Sequence, residues 1–185
     1  MATKFEKAKG DYTSFGGLKL FEQVIRGGKL KPRIRDYMPT GQRMTAEKSY
    51  NKFQALIYGM IVGNDCIRDM DEVTRDPIFD ALCGQKTYTS QSYGQFLTMF
   101  SAGQARKLNE ELRNYALRLR QAAFPKDHDF ILDIDSTLHK QYAKKMEGVE
   151  STYENYSALS SLHVYDQHGF QYHLDVRSGA THTAK

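Results

Sequence analysis

Two aspartates one residue apart, Asp133 and Asp135, sit in the run FILDIDST, residues 130–137. Their neighbours Phe130, Ile131, Leu132 and Ile134 are apolar, and turn-like PKDHD and STLHK bound the run, so a short strand is predicted over Phe130–Ile134. Side chains alternate faces along a strand. Asp133 and Asp135 therefore point one way, and Phe130, Leu132 and Ile134 the other. On so apolar a strand the carboxylates are expected to be at least partly buried, and a buried charge without a partner costs several kcal/mol. The pattern calls for a cation opposite them, and a divalent ion that takes oxygen ligands, such as Mg²⁺, would serve. The alternative is that the strand ends at Ile134 and Asp135 opens a turn or caps the next element.

Other chemistry is thinner. All six histidines follow residue 127, and His163 and His173 are expected to face each other across a hairpin, a conceivable transition-metal pair. Cys66 and Cys83 lack CxxC spacing and read as small buried hydrophobes of a reducing compartment. There is no glycine-rich phosphate loop and no nucleophile-elbow context. MATKFEKAKG lacks an apolar signal core, and the longest apolar run, around ALIYGMIVG, is far short of the ~20 residues of a membrane span. These features predict a cytoplasmic chain with no membrane partner. The net charge of +4 is uneven. Residues 1–53 hold 12 Lys/Arg against 5 Asp/Glu, and residues 54–185 hold 14 against 17, which points the first third toward a polyanion.

The elements that must position these groups are mostly helical before Pro125. Phe15, Leu18, Phe21, Val24 and Ile25 fall at helical spacing and stop at Gly27-Gly28. A basic connector comes next, carrying Lys29, Lys31, Arg33, Arg35 and Arg43. Broken by Pro32, Pro39 and Gly41, it is expected to be non-helical and able to lie along a phosphate backbone. Thr45 suits an N-cap for a helix whose stripe Tyr50, Phe53, Leu56, Ile57, Met60 and Ile61 should face a core. Asp76-Pro77 opens another helix that stops at Gly84, and Ser90 or Ser92 caps the next. This helix–turn–helix outline puts Gln91 and Gln95 on one face, within reach of base edges. Leu108, Leu112, Tyr115, Leu119 and Ala122 mark a long helix over 103–123. Beyond Pro125 come three strand candidates, Phe130–Ile134, about Leu159–Tyr165 and Phe170–Val176. The last two are joined by the hairpin signal DQHG, and a polar stretch, Leu138–Ala158, separates the first from the second.

LDIDST, HKQYAKKMEGVE and SLHVYDQHGFQYHLDVRSGATHTA resemble the opening of the catalytic domain of DDE-type transposases of bacterial insertion sequences. GGLKLFEQVI, GNDCIRDMDEVTRDPIFDAL and SQSYGQFLTMF are similar to the helical N-terminal region of the same family. The resemblance implies an α+β chain: an all-helical DNA-binding and dimerisation region over 1–125, then the first three strands of an incomplete RNase H-like domain over 126–185. It implies a three-carboxylate site and Mg²⁺-dependent cleavage and joining of DNA strands at transposon terminal inverted repeats, by a homodimer or larger assembly associated with the nucleoid. Asp135 takes the position of the first carboxylate and metal ligand, with Asp133 the near alternative. Lys140, Lys144 and Lys145 would hold DNA phosphates nearby. The second Asp and the Glu are expected beyond THTAK, so this chain alone is expected to be inactive, or to act as a truncated, non-catalytic DNA-binding regulator. The resemblance departs at Ala143, where glycine is expected, and at Ser178, where proline is expected.

Overall fold

Local chemistry sets most helix boundaries. The structure, a computed structural model, describes residues 13–181 except 85, 144 and 153. Its helices are α1 (Leu18–Gly27), α2 (Leu30–Ile34), α3 (Ala46–Ile61), α4 (Met70–Val73), α5 (Pro77–Cys83), α6 (Ser90–Leu97) and α7 (Ala102–Ala123). Thr45 caps α3 by accepting from Lys48 N–H at 3.3 Å. Asp76 caps α5 by accepting from Ile78 N–H at 2.8 Å, and Gly84 closes α5 at φ 66°, a conformation that favours glycine. The chain divides into residues 1–108 and 109–185, a division that falls within α7.

In the first unit, Ile34, Met38, Tyr58, Met70, Phe79, Tyr93 and Phe96 are fully buried, each large side chain contributing about 1.5–3 kcal/mol. Three expectations fail here. The basic connector is partly helical: α2 and a 3-10 turn over Arg35–Tyr37 occupy it. Pro32 falls in the first turn of α2, where a missing N–H breaks no bond, and Leu30 and Ile34 bury one face. On α3 the buried side is Ser49, Tyr50, Lys52, Ala55, Tyr58 and Gly59, while Met60 is 72% exposed. Small residues decide this face. A Cβ on Gly59 would meet Met70 Sδ at 2.5 Å, so the backbone there packs too closely for a larger residue. The same side-chain economy operates on α1, where Glu22 is buried between Lys19 and Arg26, and Phe21 and Val24 lie exposed. Cys83 is buried as expected, whereas Cys66 is exposed.

The second unit contains an antiparallel sheet of β1 (Leu132–Lys140), β2 (Glu150–Ser151), β3 (Ser157–Asp166) and β4 (Gln171–Ser178). β3 is central. β1 pairs along one edge of it, and β4 and β2 succeed one another along the other. The turn between β3 and β4 uses Gly169 at φ 82°, as DQHG predicts. The first strand differs from expectation at both ends, since Phe130 and Ile131 precede it and STLHK, expected to turn, continues it to Lys140. The ladder with β3 carries the pairing from Leu132↔Asp166 to Lys140↔Ala158, and Ser136 and Thr137 are readily accommodated on an edge strand. Asp135 therefore opens no turn. With seven α-helices and one four-stranded antiparallel sheet among the described residues, the chain is α+β.

Candidate functional site

Cross-strand register fixes what Asp133 and Asp135 face. Asp133 lies opposite Tyr165 and Asp135 opposite His163, so all four project from one face of the sheet. Both carboxylates are exposed, and neither has a hydrogen bond or ion pair among the described residues. The burial expected from the apolar sequence is not found: Leu132 and Ile134, on the opposite face, are 52% and 58% exposed. No desolvation therefore demands a cation, and the carboxylates are simply open to one.

Beside them runs a chain of hydrogen bonds that the sequence did not reveal. Ser161 Oγ lies 2.6 Å from His139 Nε2 and 2.7 Å from His163 Nε2. Gln171 Nε2 donates to His163 Nδ1 at 2.9 Å, with Tyr165 OH at 3.3 Å from the same atom. With Nδ1 accepting, a neutral His163 donates through Nε2 to Ser161, which donates onward to His139. His163 and His173 fall on opposite faces, because His163 pairs with Leu174 and Val164 with His173. The expected histidine pair does not form, since a shift of one position along a strand inverts the face. The residues of this array alternate at period two on one face, but their pairing required the register.

At the hairpin end lies a carboxylate of another kind. Asp166 accepts from Arg120 Nε and Tyr172 OH, both at 2.7 Å, and from the His168 and Phe170 N–H groups at 2.9 and 3.0 Å. Burial pushes the Asp166 carboxyl up, but the bonds from Tyr172, the two amides and Arg120 outweigh it and hold the group below its ordinary value. Tyr172, half-buried and bonded to that anion, is pushed up to about 12 by desolvation and by the Asp166 carboxylate. Arg120, 3% exposed, also donates to the carbonyls of Asp127 and Asp129 at 3.0 and 2.7 Å and stacks on the Phe130 ring at 3.9 Å.

The basic residues are scattered by the fold. Lys29, Arg33, Arg35 and Arg43 are exposed, with Lys29 at φ 53° ahead of α2. Lys31 pairs with Glu47, and Arg35 with Asp36 at 3.1 Å. Lys29 and Lys31 line a cavity of about 390 Å³ together with Arg26, Glu22, Glu47 and Tyr50. Lys140 lies on the sheet face opposite Asp133 and Asp135, its Nζ 5.5 Å from the rings of Tyr142 and Tyr156. Lys145 is exposed in the following turn, and Lys144 lies outside the described residues.

Gln91 and Gln95 are exposed on α6, with Tyr93 and Phe96 buried beneath. Neither expected serine caps this helix. Thr89 occupies the N-cap, and Asp71 of α4 accepts from Ser90 N–H at 2.7 Å and Ser90 Oγ at 2.6 Å. Asp80 accepts from Thr87 N–H at 2.8 Å and Thr87 Oγ1 at 2.5 Å. Lys52 donates to Ser92 Oγ at 2.8 Å and lies 4.4 Å from the Tyr88 ring, and burial lowers its ammonium below the ordinary lysine value. Three charged side chains from three other helices thus fix α6 and the segment leading into it.

The family described as Transposase DDE domain group 1 has a profile that matches residues 4–185. The chain belongs to this DDE transposase family. No curated protein and no solved structure matches it. DDE transposases carry out DNA transposition, bind DNA and generally use Mg²⁺. In this transposase-family chain, Asp133 and Asp135 fit such an ion as donors, being oxygen ligands on one face with no competing partner; among the described residues no third carboxylate, histidine or cysteine joins them. No helix of the described residues is long and apolar enough to cross a membrane.

Proposed function

We propose that the chain binds transposon terminal inverted repeats through its helical region, and that its sheet is the start of an RNase H-like catalytic domain in which Asp135, with Asp133 beside it, contributes to a Mg²⁺ site. The observation that carries the reading is the pair of exposed, unpartnered carboxylates on β1 within a chain matched by a transposase family over residues 4–185. The sheet's own state supports an incomplete domain. β1 has no partner on its outer edge among the described residues, and apolar Ile134 and Val176 lie exposed on opposite faces.

When bound, Mg²⁺ would stabilise charge on the oxygens of an in-line phosphoryl displacement. The residues present supply oxygen donors at Asp135 and Asp133. Tyr165 and His163 hold the facing positions, and the bonds of His163 to Ser161 and Gln171 keep its ring in place. Two carboxylates make an incomplete set for an ion that demands near-octahedral oxygen coordination. In this reading the repeats are bound by the helical region, and Asp133 and Asp135 by themselves are too few donors to support cleavage.

A mobility-shift and cleavage assay on one duplex tests this. Preferential binding of terminal-repeat DNA over a scrambled duplex, with no Mg²⁺-dependent nicking, is expected. Equal binding to both duplexes would reject repeat recognition, and efficient nicking would reject the incomplete site.

A further inference from the structure

Gln91, Gly94 and Gln95 occupy one face of α6, opposite buried Tyr93 and Phe96, and Thr98, the C-cap, continues the i, i+3, i+4, i+7 spacing with its hydroxyl donating to the Gln95 carbonyl at 2.8 Å. Glycine in the middle of a helix is unfavourable relative to alanine, and is kept where something approaches the backbone closely. Inside this molecule nothing does, for a Cβ built on Gly94 meets no atom within 4 Å. Gly59 shows the contrast, since there the protein's own Met70 and Asn64 fill the space. The space over Gly94 is open, as it is over Gly27, and at Gly94 it lies between two exposed glutamines.

The surroundings say what kind of surface this is. No charged residue occurs from Thr87 to Ala105, although 26% of the chain is charged. The face offers amides and bare backbone, with neither the Gln91 nor the Gln95 side chain engaged in a hydrogen bond among the described residues. Primary amides carry donor and acceptor together, the pattern that matches the N6 and N7 edge of adenine in the major groove. The unit around the face is cationic, with 17 Lys/Arg against 11 Asp/Glu over residues 1–108, which suits a polyanion whose phosphates are met by other residues. The clamps from Lys52, Asp71 and Asp80 hold the helix as a preformed reader.

We infer that this face of α6 lies in the major groove of duplex DNA, with Gln91 and Gln95 selecting adenines and Gly94 marking where the helix backbone comes closest to the bases. The inference rests on the proposed DNA binding and on the helix–turn–helix reading of Gln91 and Gln95, and adds the preferred base and a residue with no side chain. A glycine has no donor to lose, so its role is steric and is tested by adding one methyl group.

The experiment uses the full chain and a duplex that the chain enriches from a randomised pool. Gly94→Ala is expected to weaken binding about tenfold, on the scale of one lost base contact, while the melting temperature stays the same or rises. Gln91→Ala and Gln95→Ala should each weaken binding by a similar factor and relax the preference for adenine at one base pair. The salt dependence should be unchanged for both, because no phosphate contact is removed. If Gly94→Ala binds like the parent while a glutamine variant loses base preference, the close-approach role of Gly94 is wrong and base reading stands. If all three bind like the parent while Lys29→Ala or Arg33→Ala weakens binding, the chain binds DNA by another surface and the inference falls. A change in self-association on sedimentation, with DNA binding intact, would make the face a protein contact and likewise overturn it. Enrichment of no sequence from the pool would remove both this inference and the proposed repeat binding on which it rests.

Discussion

The sheet carries aspartates in two opposite conditions. At the hairpin end, Asp166 is buried and receives four hydrogen bonds, one from a buried arginine. On β1, Asp133 and Asp135 are exposed and receive none among the described residues. A carboxylate whose oxygens are already occupied holds the fold together and has little left to offer a ligand. A pair left open on one face costs the fold nothing and keeps its lone pairs available. The number of donors an acid already has, more than its neighbours in sequence, separates the acid that holds the fold from the acids left open.

Removing the occupied acid should do the most damage. Asp166→Ala strands Arg120 in the interior and is expected to destabilise the second unit by about 3–5 kcal/mol, measured by denaturant unfolding followed by circular dichroism. A shift no larger than that of Asp135→Asn would erase the distinction. Next in size, Gly179→Ala places a Cβ 2.2 Å from the Ala158 carbonyl oxygen, where β4 meets β3. Backbone cannot yield as a side chain can, so a loss toward the upper end of about 1–3 kcal/mol is expected in the same measurement.

Titration sharpens the contrast. The Asp166 carboxyl is held below its unfolded value of about 3.9, so the unfolded chain takes up the proton first. Its stabilisation is whole above that value and disappears as pH falls through the lower folded value. Tyr172, pushed up to about 12, behaves in mirror fashion. Its contribution is whole below the unfolded tyrosine value of about 10 and fades as pH rises toward the folded one. Burial also raises Tyr58, Cys83, Tyr93 and Tyr115, so Tyr172→Phe should shrink the alkaline limb without abolishing it, and an unchanged limb would leave Tyr172 no part in it. The smallest expected effect on stability belongs to Asp133→Asn and Asp135→Asn, which should unfold like the parent while losing Mg²⁺ binding in calorimetry. Parent-like Mg²⁺ binding by both variants would remove these residues from the metal site.

What could be read from the chain was whatever its own neighbours decide. Thr45, the Asp76-Pro77 pair, Gly84 and DQHG act within a few residues, and each marks its element in the structure. Pro32 misled because a proline near a helix start looks, in sequence, like one that breaks it. The stripe on α3 misled because Ala55 and Gly59, not Met60, sit where the backbones pack closest, and closeness is a tertiary property. β1 outran its prediction because Ser136–Lys140 has little strand pattern of its own and takes its conformation from β3. At the site, the shared face of Asp133 and Asp135 was legible from alternation alone. Their exposure was not, since apolar neighbours suggest burial only if something covers them. Nothing local links Arg120 to Asp166, 46 residues later.

That distant link has a consequence for β1. The same guanidinium grips the carbonyls of Asp127 and Asp129, just ahead of the strand, while its other arm holds Asp166, the ladder partner of Leu132. Sliding β1 by one position would turn both acids through the sheet and bring Leu132 and Ile134 round in their place. Arg120 is in effect the pin that sets the phase of the strand, so one buried cation decides on which side of the sheet Asp133 and Asp135 stand.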